Sequence, residues 1–299
     1  MPLDSSSPMQ LYNQPVPLLI PDVVERIDPA GSFLPVVFDS PHSGNVYPDD
    51  FGYSLALNKV RLSEDAFVDE LFGSAPSCGA TLIRALFPRS YIDPNRAPDD
   101  LDVTLLAEPW PGAVNPGPKT ELGVGLIPKR EPGGRMYDRK LGVEEVRHRI
   151  NTYWRAYHET VRGTLDACHH RFGTVWHLNC HSMPSVSTEV SPEGPGVPRP
   201  QICLGDRDGA TCAPEFTRAV ASAFTGLGYE VAVNAPYKGV ELVRRYADPA
   251  IGRHSLQIEI NRALYMDEKR IEKGAGFDKL MNDINAVIRT ICDYAEARL

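Results

Sequence analysis

The chain has 299 residues, 42% of them hydrophobic and 23% charged, which is enough apolar material for a sizeable core. Its formal net charge is -8, the wrong sign for a nucleic-acid partner, which selects a basic face. No run of about 18 apolar residues occurs, so no membrane partner is expected.

Residues 1–30 are rich in Pro and Ser and predict an arm wrapped over the surface. They hold neither the basic nor the apolar stretch of a secretory leader. Cys78, Cys168, Cys180, Cys203, Cys212 and Cys292 are scattered, with no C-x-x-C pair. That usage predicts reduced thiols and a cytoplasmic protein. Residues 33–38 (FLPVVF) predict a buried strand running into the turn chemistry of Asp39-Ser40-Pro41-His42-Ser43-Gly44. Apolar residues at helical spacing predict a helix over 58–72, stopped by Gly73. Residues 80–87 predict a second strand, closed by Pro88. Residues 93–140 are dense in Pro and Gly and lack a period; a connection this long predicts loops at an active site.

The longest helical pattern covers 143–172 and ends at Gly173. Strands are predicted over 174–178, 201–204, 229–233 and 255–260, and helices over 212–227 and 278–299. This alternation predicts a three-layer αβα sandwich around a mostly parallel or mixed sheet, in one domain spanning 1–299.

Open α/β sheets bind ligands beyond the carboxyl ends of their strands. His42 follows the first predicted strand and His181 follows the one at 174–178. A catalytic zinc takes three imidazole or carboxylate ligands and keeps one position open. Glu64 or Asp65, at the start of the helix after the first strand, is placed to supply the third. The remaining histidines read differently: His148, His158, His169 and His170 as solvated or capping groups on the long helix, His177 and His254 as packing or supporting groups. Glu259 stands between Ile258 and Ile260, where burial would raise its pKa into the range of a general base. Arg96, in the turn Asp93-Pro94-Asn95-Arg96, offers a planar fork suited to a carboxylate.

These motifs, with Ser63-Glu64-Asp65, Asn179-Cys180-His181-Ser182-Met183, Asn234-Ala235-Pro236-Tyr237-Lys238-Gly239 and Gln257-Ile258-Glu259-Ile260-Asn261-Arg262, form an ordered set from about residue 35 to 268. That set resembles the N-formylglutamate amidohydrolase family. The resemblance implies a fold similar to zinc carboxypeptidases, aspartoacylase and succinylglutamate desuccinylase. It implies one zinc ion held by His42, His181 and an acidic residue, with Asp65 favoured over Glu64. It implies hydrolysis of N-formyl-L-glutamate to glutamate and formate, the last step of one histidine-degradation route. The substrate is then a small acidic N-acyl amino acid. Glu259 is the base, Asn95 and Arg96 hold the α-carboxylate, Arg262 binds the side-chain carboxylate, and Tyr237 is a further substrate-binding residue. This chain departs from the family pattern at Asn179, where an Asp often stands two residues before the histidine, and in its long segments 97–140 and 184–200. Two rival readings stay open: a zinc amidase for another N-acyl amino acid or a peptidoglycan amide, and a non-catalytic metabolite-binding protein on the same scaffold.

Overall fold

A computed structural model describes residues 18–191 and 193–299. The expected arm is corrected in part. Residues 1–17 lie outside the described residues, but β1 (Leu18–Ile20) and β2 (Val24–Ile27) form an antiparallel hairpin at one edge of the main sheet. Their shortness hid them: three and four residues give too few positions for a period to show. β3 (Val36–Ser40) and β4 (Thr81–Ala85) form where the apolar runs predict strands, and they pair in parallel.

The helix expected over 58–72 is broken. α1 (Leu57–Val60) passes into a 3-10 turn, and α2 (Val68–Leu71) starts afresh after Phe67, whose φ is +67°. A left-handed Phe is costly, and it persists here because the break turns Asp65 inward. Residues 93–140 hold a 3-10 turn (Val103–Leu105), α3 (Pro118–Glu121) and a short hairpin of β5 (Arg130–Glu131) and β6 (Gly134–Arg135). The long helical pattern forms α4 (Val143–Arg149), a π turn over Ile150–Trp154, and α5 (Arg155–Phe172), capped by left-handed Gly173.

β7 runs nine residues, Val175–Met183, so His181 lies inside the strand and not in the loop after it. β8 (Ile202–Gly205), α6 (Pro214–Gly226), β9 (Val231–Val233), α7 (Glu241–Tyr246), β10 (Arg253–Asn261), a small hairpin and α8 (Phe277–Glu296) complete the described chain. The eight-stranded sheet has the order β1-β2-β4-β3-β7-β10-β8-β9 and is mixed: β4, β3, β7 and β10 are parallel, and β8 runs against β10.

Helices cover both faces. On one, Val36, Phe38, Trp176, Leu178, Cys180, Leu256, Ile258 and Ile260 pack against α2, α6 and α8 through Leu71, Phe216, Phe224, Ile284 and Ile288. On the other, Val37, Ile83 and Val175 meet Tyr157, Val161 and Leu165 of α5. No helix among the described residues is long and apolar enough to cross a membrane.

Candidate active site

Side chains alternate along a strand, so the partners of the apolar row point the other way. In register, Asp39 lies beside Asn179, His177 beside Ser255, Asn179 beside Gln257, and His181 beside Glu259. All are buried, and buried polar groups must find partners. Asp39 accepts from His177 Nε2 at 2.8 Å, Asn179 Nδ2 at 2.8 Å and Tyr157 Oη at 2.7 Å. The second nitrogen of His177 meets Ser255 Oγ at 2.7 Å. Burial pushes Asp39 up, but His177, Tyr157 and Asn179 outweigh it and leave the carboxyl below its ordinary value.

At the carboxyl end of this row His42, Asp65 and His181 converge, each offering one ligand atom, all within 4.8 Å of one another. His42 follows β3 in a loop held tightly against β4: a Cβ on Gly44 would come within 2.2 Å of Phe87 O. The Asp65 N–H donates to His42 O at 3.0 Å, tying the broken helix to that loop. Glu64 faces away, accepting from Tyr47 Oη and Arg61, so Asp65 is the acid of the cluster.

The hydrogen bonds assign the imidazole tautomers. Asn179 gives its Nδ2 to Asp39, so its Oδ1 faces His181 Nε2, 2.7 Å away, and that nitrogen carries the proton. Nε2 of His42 lies 2.7 Å from the Asp93 carboxylate and donates to it. Both Nδ1 atoms are then lone pairs, aimed at Asp65 Oδ2 from 3.3 Å and 3.0 Å. Three acceptors pointed at one another with no proton between them repel, and a cation removes that repulsion. Two imidazole nitrogens and one carboxylate oxygen, each imidazole backed by an acceptor on its far nitrogen, fit a catalytic metal site. Burial pushes Asp65 up, yet its carboxyl stays well below the usual carboxylate range, with the Arg262 guanidinium 2.9 Å from Oδ1 pulling it down. Burial also lowers His181, which keeps the imidazole neutral.

Glu259 is 8% exposed and accepts from Gln257 Nε2 at 2.8 Å. Burial, and after it the charge of Asp65, pushes its carboxyl up to about 8. The expected Asn95 and Arg96 line the same cavity, of about 930 Å³, as do Tyr237 and Arg262. Asn95 Oδ1 accepts from Leu242 N at 3.0 Å, and its Nδ2 lies 3.2 Å from His181 Nε2. Arg96 gives Nε to Val124 O and Nη1 to Asn95 O, leaving Nη2 3.9 Å from Asp93 Oδ2. α5 and the π turn clamp this stretch: Trp154 Nε1 donates to Arg96 O at 2.9 Å, and His158 Nε2 meets Pro94 O at 2.7 Å. His158 is thus a buried prop, not the solvated group the helix pattern suggested. Arg262 differs from expectation in its contacts: its three nitrogens meet Ser182 Oγ, Leu62 O and Asp65 Oδ1, which makes it the group that orients Asp65.

Among the cavity residues that carried no assigned role at the level of sequence are Arg89, Lys119, Glu131 and Arg199. Arg89 pairs with Asp93 at 2.6 Å. Burial pushes Glu131 up to about 8. Lys119 and Glu131 sit in the aperiodic stretch, where spacing carries no signal. Gln257 had one: it precedes Glu259 by one strand period.

A mixed α/β sheet with a buried His-Asp-His cluster and a neighbouring buried carboxyl at the ends of parallel strands defines an α/β protein with a candidate metal site. The family model described as N-formylglutamate amidohydrolase matches residues 34–266. N-formylglutamate deformylase of Pseudomonas putida is 30% identical over 241 residues, covering 79% of this chain and 83% of that protein. Its namesake from Pseudomonas aeruginosa is 26% identical over 79% of this chain and 84% of that protein. The crystal structure of N-formylglutamate amidohydrolase from Ralstonia eutropha JMP134 is 44% identical and covers 93% of this chain and all of that one, with a TM-score of 0.87. The chain belongs to the N-formylglutamate amidohydrolase family, hydrolases of amide bonds.

Proposed function

We propose that this protein is a zinc-dependent amidohydrolase that cleaves N-formyl-L-glutamate to L-glutamate and formate. The observation that carries the reading is the register of β7 and β10, which sets the raised carboxyl of Glu259 beside His181 of the acceptor cluster, in one cavity. The relatives named for this reaction support the choice of substrate.

His42 Nδ1, His181 Nδ1 and an oxygen of Asp65 would hold the ion. Zinc bound there supplies Lewis acidity toward the scissile carbonyl and toward water. Glu259 accepts a proton from the attacking water and returns it to the leaving amine, so water and amide become formate and glutamate. Burial raises the basicity of this carboxylate, which suits it to hold the proton between the two transfers. Gln257 fixes the rotamer of Glu259. Arg96, through its less engaged Nη2, takes the α-carboxylate, with Asn95 and Tyr237 forming the neighbouring wall. Arg262 acts on Asp65 and not on substrate. The same reading places the enzyme in the cytoplasm, at the last step of a histidine-degradation route; the six free thiols fit that compartment.

The test is formate release from N-formyl-L-glutamate by the zinc-loaded protein, before and after chelation. Release that stops on chelation and returns with zinc is expected. Release of acetate or succinate from the corresponding N-acyl glutamates, with none of formate, would reassign the acyl group.

A further inference from the structure

The cavity wall carries six cations: Arg89, Arg96, Lys119, Arg199, Lys238 and Arg262. Five have an acidic partner. Arg89 meets Asp93 at 2.6 Å, Arg199 meets Glu193 at 2.7 Å, Lys238 meets Asp208 at 2.8 Å and Arg262 meets Asp65 at 2.9 Å. Arg96 lies 3.9 Å from Asp93. Lys119 alone has no carboxylate partner among the described residues. Its ammonium stands 5.8 Å from the centre of the Tyr237 ring, whose hydroxyl is taken by Arg199.

The surroundings of Lys119 repel its charge. Burial pushes the ammonium down to about 8, and Arg96 and Arg89 push in the same direction. Glu193 pulls the other way, but its carboxylate is already engaged, 2.7 Å from Arg199 Nη2. A crowd of cations around an unpaired ammonium is a local positive potential, and an anion is what it attracts.

The backbone that carries Lys119 is also fixed in place. Asp100 Oδ1 accepts from Gly117 N at 2.7 Å and Thr120 Oγ1 at 2.5 Å, one on each side of it. Val124 N donates to Lys119 O at 2.8 Å, and Val124 O accepts Arg96 Nε at 3.1 Å. These contacts set an order along the wall: His181 touches Asn95, Arg96 follows it, and Lys119 is reached through Val124 beyond Arg96. In a substrate, the formamide lies at the cluster, the α-carboxylate one carbon from the amide nitrogen, and the side-chain carboxylate farther out.

We propose that Lys119 is the specificity-determining residue of this site, receiving the side-chain carboxylate of the acidic N-acyl amino acid while Arg96 holds the α-carboxylate. The assignment rests on the amidohydrolase reading for its substrate, but its anion chemistry is testable without turnover.

Two measurements test it on the full-length protein with Lys119→Met. In steady state with zinc, KM for N-formyl-L-glutamate rises about 10- to 100-fold with kcat little changed, as expected for loss of one partner of a desolvated charge pair. KM for N-formyl-L-glutamine, of the same length but neutral at its end, stays within about twofold, and Lys119→Arg recovers part of the preference. Equal rises for both substrates, or no rise for the glutamate, would overturn the assignment. In calorimetry on the metal-free protein, wild type binds glutarate and K119M binds it more weakly by a similar factor. Equal affinities, or no binding by wild type, would overturn it too. A wild-type protein that binds glutarate through Lys119 yet releases no formate would sink the amidohydrolase reading and leave the anion site standing.

Discussion

The two faces of β3, β7 and β10 are equally buried and chemically opposite. On one, Phe38, Leu178 and Ile258 are shielded from water by α2, α6 and α8 and need only fill space. On the other, Asp39, His177, Asn179, His181, Gln257 and Glu259 are shielded as completely and must each be answered by a partner. Apolar contacts are non-directional, so the first face supplies stability. Hydrogen bonds have direction, so the second face fixes orientations: Asp39 turns Asn179, Asn179 sets the tautomer of His181, and His181 points a lone pair at the cluster. The polar face preorganises a site at the expense of stability that an apolar one would have given.

Substitutions on the two faces should therefore separate function from folding. The largest effect is expected from Glu259→Gln. Turnover should fall by about 10²- to 10⁴-fold, the scale of a general base, while metal analysis shows zinc retained; activity near wild type would remove Glu259 from its role. Next is Phe38→Ala on the apolar face, where the fully buried ring packs 5.6 Å from Phe72. Denaturant unfolding should show a loss of about 3–5 kcal/mol, with zinc affinity unchanged in the folded protein. A smaller and inverse result is expected for Asp39→Asn, remote from the ion but upstream of Asn179. Chelator competition should show about 10- to 100-fold weaker zinc binding, with the circular dichroism of the wild type. Unchanged zinc affinity there would break the distinction between the faces.

The smallest effect concerns Glu131, raised from 4.5 to about 8 by burial. Between those values the folded protein holds a proton that the unfolded chain has released. The stability of the metal-free protein must then fall as pH rises through that window. Glu131→Gln should flatten this slope; parallel stability profiles for the two proteins would show that Glu131 does not titrate there.

The sequence made the same division visible. The apolar runs at 33–38 and 255–260 located strands because a strand buried on one face by hydrocarbon reads as hydrophobic. His42, His181 and Glu259 were legible because polar groups interrupt those runs. β7 was read too short for the reverse reason: Asn179, His181 and Ser182 look like loop chemistry, and only burial on a polar-lined face makes them strand. The break at Phe67 was illegible, since tertiary demand on Asp65 overrides a good helical period there. Lys119 and Glu131 reach the cavity from an aperiodic segment, where nothing local encodes which way a side chain turns.

The measurement closest to the central claim is zinc content and formate release, determined together on wild type and Asp65→Ala. The account predicts about one zinc per chain and formate release from N-formyl-L-glutamate for wild type, and loss of both in the variant. Zinc held at full occupancy without Asp65, or a zinc-loaded wild type that cleaves no N-acyl amino acid, would contradict it.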